Sequence, residues 1–433
     1  MSVFHAAYAW VGDRVARDVL IEAADGRITA VTPDAPPTGE RLPGLVLPGL
    51  ANVHSHAFHR VLRGRTHAAR GSFWTWRDLM YRVAGRLDPD SYFALARAVY
   101  AEMALAGITA VGEFHYLHHG PDGVPYANSN AMGEALIAAA GEAGIRITLL
   151  DTLYLSSTVD GQPLAGVQRR FGDADPEAWA ERVAGLAAAP HARIGSAIHS
   201  VRAVPARHLT DLIVRGPLHL HLSEQRGENE QTRAVHGCTP TELLDRYGIL
   251  REGTTAVHAT HLTDSDVKTL GRTGTGVCFC PTTERDLADG IGRARDLADT
   301  GSRLSLGSDS HAVLDMFEEM RGVEMDERLA SEQRGRFTPA ELVAAAARHD
   351  ALGWDDAGAL APGRRADLVA VRLDGVRTAG MEPAGAIYAA TAADVTHVVA
   401  DGHPIVADGR HVRIDVAADL RATIRAALGG DDR

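Results

Sequence analysis

The chain has 433 residues, of which 45% are hydrophobic and 23% are charged. This composition is ordinary for a soluble globular protein and excludes a disordered, collagen-like or coiled-coil chain. The 44 Lys and Arg residues against 56 Asp and Glu give a formal net charge of −12. Because such an acidic surface repels phosphate backbones, we do not expect a nucleic-acid partner. No apolar run is long enough to span a membrane, and the N-terminus carries no signal-peptide pattern, so we expect a cytoplasmic protein without a membrane partner.

The two ends of the chain carry strand patterns. Residues 19–22 and 28–31 are rich in β-branched residues and lie between turn signals, which is typical of short strands. Residues 366–371 and 395–402 have the same pattern near the C-terminus. These terminal strands flank a centre of a different kind.

In that centre, apolar strand-like runs alternate with alanine-rich helical stretches such as residues 94–106 and 131–143. Alternation of this kind predicts a parallel sheet covered by helices. One run ends at His54, and seven more follow it: residues 108–111, 145–150, 194–198, 218–222, 255–258, 276–279 and 304–307. Eight such units predict a (β/α)8 barrel, an α/β fold of the TIM-barrel type.

Polar residues cluster at the ends of these runs. They are His54 and His56, Glu113 and His115, His199 and Arg202, His221 and Glu224, His258, and Asp309. The carboxyl ends of barrel strands form the face that carries active sites, and packing alone gives no reason for repeated histidines there. We therefore expect a functional site at this face.

Four of these residues are candidate metal ligands: His54, His56, His221 and Asp309. His54 and His56 are two positions apart on a strand, so both imidazoles point to the same side. An isolated His-x-His pair is weak evidence, but three strands that converge on one rim strengthen it. Three histidines and one aspartate suit Zn²⁺, with Fe²⁺ or Mn²⁺ as alternatives.

Two further residues are candidates for proton transfer. Glu224 follows His221 by three positions, and His258 ends the next strand, where it could handle a proton or hold a second metal. The only lysine, Lys268, is predicted at the start of a helix, so a carboxylated lysine cannot bridge two metals. We therefore expect one divalent ion, with His258 free for catalysis.

Several stretches together resemble the amidohydrolase superfamily in its single-metal deaminase branch, and within that branch the formimidoylglutamate deiminases of histidine degradation. They are residues 52–58 (NVHSHAF), 72–76 (SFWTW), 80–82 (MYR), 113–116 (EFHY), 199–204 (HSVRAV), 221–225 (HLSEQ), 258–262 (HATHL) and 280–284 (CPTTE). The resemblance covers about residues 46–315. One departure is visible, since the family usually has Gln where this chain has His59.

The resemblance implies a metal-dependent barrel over residues 47–357 and a small β-sandwich domain from residues 1–46 plus 358–433. It also implies a homodimer and hydrolysis of N-formimidoyl-L-glutamate to N-formyl-L-glutamate and ammonia. In this interpretation Asp309 takes a proton from the attacking water, Glu224 gives one to the departing nitrogen, and His258 stabilises the tetrahedral adduct.

A dianionic substrate of this kind needs a group that binds carboxylates, and arginine does this best through paired hydrogen bonds. Arg202 is the first candidate, and Arg82 is the second. His59, Tyr116 and His199 are the expected hydrogen-bonding companions.

Other interpretations stay open. The chain could be a single-metal deaminase that acts on an aromatic amine, such as guanine or a nucleoside, or a scaffold without chemistry, although a scaffold should have lost a ligand. The aromatic stretch at residues 73–76 could form a pocket lid or only pack a loop. The three cysteines do not form a disulfide framework, and Cys278 and Cys280 are interpreted as a packed strand end.

Overall fold

The structure, a computed structural model, describes residues 1–66, 73–210 and 212–430, without the side chains of residues 73–75. In chain order the strands are β1 (Ser2–Val11), β2 (Arg14–Ala24), β3 (Arg27–Thr32), β4 (Glu40–Pro48), β5 (Leu50–Ser55), β6 (Ile108–His115), β7 (Arg146–Leu153), β8 (Ala192–Ile198), β9 (Leu218–Leu222), β10 (Thr254–His258), β11 (Gly276–Phe279), β12 (Leu304–Leu306), β13 (Leu368–Val371), β14 (Val395–Ala400), β15 (His403–Ala407) and β16 (Arg410–His411). The α-helices are α1 (Phe73–Ala84), α2 (Pro89–Leu105), α3 (Ala131–Ala143), α4 (Pro176–Ala184), α5 (Arg226–His236), α6 (Pro240–Arg246), α7 (Asp264–Thr273), α8 (Pro281–Asp286), α9 (Ala294–Asp299), α10 (Met316–Ser331), α11 (Pro339–Ala346) and α12 (Val416–Leu428).

Strands β5 to β12 form an eight-stranded sheet in which neighbours in sequence are neighbours in space. Every adjacent pair of strands from β5 to β12 is parallel. The sheet nearly closes on itself, because Ser55 at the end of β5 forms a parallel bridge with Asp309 just after β12. The predicted (β/α)8 barrel is therefore confirmed.

Helices cover the barrel between most strands, and side chains cap several of them. Thr239 and Thr263, for example, each accept a backbone N–H at the start of their helix, which satisfies a donor that the first turn leaves unpaired. The link from β8 to β9 differs, since its described residues contain only the short 3₁₀ helix Ala206–His208. This loop-rich link carries Arg202.

The amino end of the barrel is plugged. The His349–Leu352 turn packs there, with Thr148 Oγ1 donating to the Leu352 carbonyl (2.7 Å) and His349 Nε2 donating to the Gly49 carbonyl (2.8 Å). Trp354 closes the same end and donates through Nε1 to Thr148 Oγ1 (3.1 Å). The carboxyl end is left as the face on which a site can open.

The terminal strands form a separate mixed sheet in the order β16-β15-β14-β13-β4-β1-β2-β3. The β1–β4 pair is parallel, whereas the other pairs are antiparallel. Buried Arg146 at the start of β7 joins this sheet to the barrel through ion pairs with Asp367 and Asp401. The domain division at residues 46/47 and 357/358 stays a prediction. None of the helices in the described ranges is long and apolar enough to cross a membrane.

Candidate active site

Four predicted ligands meet at the carboxyl end of the barrel. His54 and His56 come from the end of β5, His221 from β9, and Asp309 from the turn after β12. Asp309 Oδ1 lies 3.3 Å from His54 Nε2 and 3.5 Å from His56 Nε2. His221 Nε2 lies 3.2 Å from His54 Nε2. Side chains separated by more than 250 residues of sequence thus bring their donor atoms together at this end of the barrel, with His54 common to the His56–Asp309 group and to the His221 contact.

Hydrogen bonds on the far side of two of these rings fix their tautomers. His56 Nδ1 donates to the Phe114 carbonyl (2.9 Å), and His221 Nδ1 donates to the His199 carbonyl (2.8 Å), so that each Nε2 carries its lone pair toward the site. Burial lowers the pKa of His54, His56 and His221. Neutral imidazoles with their lone pairs aimed inward are what a divalent metal requires.

The carboxylate completes an oxygen and nitrogen donor set that fits such an ion. Burial by itself raises the pKa of Asp309, but the hydrogen bond and charge of His54, together with His258, hold the pKa well below its ordinary value. Asp309 is also fixed by its backbone, because its N–H donates to the His54 carbonyl (3.0 Å). Three imidazoles and one carboxylate match the ligands that Zn²⁺ takes in proteins.

A buried hydrogen-bond network between β5 and β6 holds the His54–His56 segment in place. Ser55 Oγ donates to Glu113 Oε2 (2.9 Å), and the Ala57 N–H donates to Glu113 Oε1 (2.7 Å). Burial raises the pKa of Glu113 to about 8. The sequence places Glu113 at a strand end but does not reveal this role, because the partners of Glu113 depend on how β5 and β6 pair.

Glu224 and His258 lie beside the four ligands. His258 Nε2 is 3.8 Å from Glu224 Oε1 and 3.8 Å from Asp309 Oδ2, and His258 Nδ1 is 3.3 Å from Glu284 Oε1. Burial lowers the pKa of His258, but the three carboxylates outweigh this effect and raise it well above its ordinary value. Burial raises the pKa of Glu224 and outweighs the charge of His258, which lowers it. Burial therefore favours the protonated form of Glu224.

Strained backbone aims these two side chains. Ser223 has φ +51° and His258 has φ +69°, in a region that non-glycine residues seldom adopt. The Ser223 N–H donates to Glu228 Oε1 (2.9 Å), and burial raises the pKa of Glu228 to about 7. Glu228 and Glu284 are supporting residues to which the sequence analysis gave no role.

A single pocket contains the candidate substrate-binding residues His59, Tyr116, His199 and Arg202 together with His56, His221, Glu224, His258 and Asp309. His59 Nε2 and Tyr116 OH are hydrogen-bonded at 2.8 Å. Burial lowers the pKa of His59 to about 3, so this residue enters the pocket as a neutral group.

Helix α1 forms one wall of the pocket. Trp76, Arg77, Met80 and Tyr81 line it, whereas Arg82 is exposed and lies outside the lining. The second arginine candidate was therefore wrong, and Arg77 is the arginine that this helix brings to the pocket. Residues 72–75 lie outside the described residues or side chains, so only Trp76 of the aromatic stretch can be placed.

The guanidinium of Arg202 has no carboxylate oxygen within salt-bridge distance among the residues that the structure describes. Burial lowers its pKa, but Tyr154, Glu228 and Glu224 outweigh burial and raise the pKa. A partly buried cation that lines a pocket without an ion-pair partner is able to bind an anionic ligand.

Another buried cluster contains His115, His118 and Asp151, with donor atoms within 4.8 Å of one another. Both carboxylate oxygens of Asp151 accept hydrogen bonds from Arg182 (2.9 Å each), and Oδ1 also accepts from Trp179 Nε1 (3.0 Å). Because Arg182 already neutralises Asp151, this cluster is a structural ion-pair network.

Comparisons with known proteins show the family of the chain. The amidohydrolase family profile matches residues 45–405. The chain is 38% identical to a formimidoylglutamate deiminase from Pseudomonas aeruginosa, with 95% of this chain and 96% of the relative covered. It is 31% identical to an 8-oxoguanine deaminase from the same organism, with coverages of 89% and 88%. A crystal structure of an amidohydrolase from Brucella melitensis superposes with a TM-score of 0.90 at 32% identity, covering 99% of this chain and 100% of that one.

Proposed function

We propose that this chain, which belongs to the amidohydrolase family, hydrolyses N-formimidoyl-L-glutamate to N-formyl-L-glutamate and ammonia. The observation that carries the substrate choice is the Arg202 guanidinium, which lines the same pocket as the metal-ligand candidates His56, His221 and Asp309 and has no ion-pair partner among the described residues. A substrate with two carboxylates supplies such a partner, whereas an aromatic base does not. The similarity to the Pseudomonas formimidoylglutamate deiminase supports the same choice.

His54, His56, His221 and Asp309 would hold one divalent ion, and we propose Zn²⁺ because nitrogen donors dominate the set. An ion bound there would supply Lewis acidity that lowers the pKa of a water molecule toward 7. The residues around it then have to move protons and bind the substrate.

Asp309, Glu224 and His258 would divide the proton transfers. Asp309 Oδ2, which lies 3.8 Å from His258 Nε2, would take a proton from the attacking water. Glu224, whose pKa is raised by burial, would give a proton to the amidine nitrogen, so that ammonia leaves as the C–N bond breaks. His258, held by Glu284, would donate a hydrogen bond to the oxygen of the tetrahedral adduct.

Arg202 would bind a substrate carboxylate through paired hydrogen bonds, and His199 would assist it from the same strand end. The His59–Tyr116 pair lies on the β5–β6 side of the pocket and would contact the same end of the substrate as a neutral group. Because His59 is neutral, Gln at this position would preserve its hydrogen bonding. A homodimer in the cytoplasm remains part of the proposal.

An ammonia-release assay of purified, metal-loaded protein tests the proposal. N-formimidoyl-L-glutamate, N-formimidoyl-L-aspartate and guanine should be compared side by side. We expect turnover of the formimidoyl amino acids and none of guanine. Turnover of guanine alone would overturn the proposal in favour of a deaminase for aromatic amines, the activity in the name of the 31% identical relative.

A further inference from the structure

The two cysteines of the Cys-x-Cys pair lie inside the barrel beneath the candidate active site. Cys278 lies in β11, and Cys280 is the first residue after that strand. Both side chains are fully buried, and neither forms a disulfide. The sequence alone indicates a packed strand end, since no second cysteine pair accompanies this one. The structure brings partner ligands from the two neighbouring strands.

Cys280 Sγ, a ring nitrogen of His258 and a carboxylate oxygen of Asp309 all lie within 4.8 Å of one another. The three residues follow or end the adjacent strands β10, β11 and β12. Thiolate, imidazole and carboxylate donors at such separations can close around a single Zn²⁺-sized ion with small side-chain movements.

The two carboxylate oxygens of Asp309 contact different histidines. Its Oδ1 faces His54 Nε2 (3.3 Å) and His56 Nε2 (3.5 Å), whereas its Oδ2 faces His258 Nε2 (3.8 Å). A carboxylate with its two oxygens turned to two donor groups can bridge two ions. The group His258, Cys280 and Asp309 therefore differs from the four metal-ligand candidates, with which it shares only Asp309.

The charges around Cys280 also favour a cation. Glu284 and Glu224 lie 3.3 Å and 3.8 Å from the ring nitrogens of His258. Burial raises the pKa of the Cys280 thiol, and Cys278, Asp309 and Glu284 raise it further. The same negative groups that disfavour a bare thiolate stabilise a divalent ion, and coordination displaces the thiol proton.

We propose that His258, Cys280 and Asp309 form a second, inhibitory metal site that takes a thiophilic divalent ion, such as Cd²⁺ or excess Zn²⁺. The sulfur ligand selects these ions over Mg²⁺ and Mn²⁺. An ion at this site removes His258 and Asp309 from proton transfer and thereby stops turnover. The inhibition rests on the proposed function, whereas the binding of the ion does not.

Ultraviolet absorption tests the binding directly. Protein loaded with Zn²⁺ is titrated with Cd²⁺, and cadmium–thiolate charge transfer is recorded. The four ligands of the first site contain no sulfur, so exchange of Cd²⁺ into that site gives no such band. We expect the band in the wild type and in the matched control Cys238→Ser, and its loss in Cys280→Ser. A wild type without the band, or a Cys280→Ser variant that keeps it, would overturn the site.

Two further measurements test sulfur coordination of the bound ion and its inhibitory effect separately. If Cys280→Ser does not fold, X-ray absorption at the cadmium edge of the wild type decides instead, since the proposal requires a sulfur neighbour. Inhibition of ammonia release by Cd²⁺ should need at least about tenfold more ion in Cys280→Ser than in Cys238→Ser, the loss expected for about 1.4 kcal/mol of binding free energy. Equal inhibition of the two variants refutes the inhibitory role. A protein that shows the band but releases no ammonia refutes only the proposed function.

Discussion

The Nε2 atoms of His54 and His221, which are 167 positions apart in sequence, lie 3.2 Å from each other inside the protein. His221 cannot donate a proton across this gap, because its Nδ1–H already bonds to the His199 carbonyl. Burial lowers the pKa of both rings and favours their neutral forms. Two ring nitrogens this close to each other, with Asp309 Oδ1 3.3 Å from His54 Nε2, form a site that a cation stabilises.

Removal of the metal should therefore affect stability as well as activity. A ligand that binds only the folded state adds about 4 kcal/mol when it is present at a thousand times its Kd. We expect a chelator to lower the Tm by several degrees and to stop ammonia release, and added Zn²⁺ to restore both. The variant His56→Ala should show no Tm response to Zn²⁺, whereas the control His208→Ala should respond like the wild type. A His56→Ala protein that is still stabilised by Zn²⁺ would argue against the ligand set.

Loss of the Arg202 guanidinium should weaken substrate binding. Hydrogen bonds to charged groups contribute about 1.5–3 kcal/mol each, so Arg202→Met should lower kcat/KM for N-formimidoyl-L-glutamate by about a hundredfold or more. Steady-state kinetics should show the change mainly in KM. Arg207→Met, which removes an exposed arginine from the same link, is the control and should behave like the wild type. Equal kinetics for the two variants would exclude Arg202 from substrate binding.

Glu224→Gln should remove the proton donor without disturbing the metal ligands. General acid–base catalysis contributes about 10²–10⁴-fold, so we expect kcat to fall by that factor while the metal content stays unchanged. Glu230→Gln changes an exposed glutamate of the following helix and should keep full activity. If Glu224→Gln turns over within a fewfold of the wild type, another group protonates the leaving nitrogen.

Buried histidines away from the site should make stability depend on pH. Burial lowers the pKa of His118, His219 and His349 to about 4, whereas unfolding returns each one to about 6.5. Between these values the unfolded chain binds protons that the folded chain does not. The free energy of unfolding should therefore fall as the pH drops from about 6.5 toward 4, with each histidine contributing roughly 3 kcal/mol at most.

Denaturant titrations at several pH values measure this slope. The variant His219→Gln should show a shallower loss of stability over that range, because one of the three groups no longer titrates. His403→Gln, which changes an exposed histidine of β15, should keep the slope of the wild type. Identical slopes for His219→Gln and the wild type would contradict the assignment.

The sequence predicted the barrel and the convergence of His54, His56, His221 and Asp309 because both follow from local patterns. Eight apolar runs alternate with helices, and the carboxyl ends of parallel strands in a closed barrel share one rim. A polar residue at the end of a predicted strand can therefore be placed at that rim without knowledge of the packing.

Supporting residues could not be placed in this way. Glu113 and Glu284 act through partners on other strands, and those contacts depend on strand register and on the start of α8. Arg82 was misplaced because the orientation of α1 decides which side chains reach the pocket. Trp76 and Met80, four positions apart, share the inward face of this helix, and Arg82 does not. The partners of Cys280 likewise appear only when β10, β11 and β12 lie side by side.

Anomalous diffraction from a crystal of the metal-loaded protein, recorded at the absorption edge of the bound metal, tests the central claim most directly. We predict one peak enclosed by the Nε2 atoms of His54, His56 and His221 and by Asp309 Oδ1. The absence of a peak at that point in an active crystal preparation, or a sole peak elsewhere in the molecule, would contradict the account.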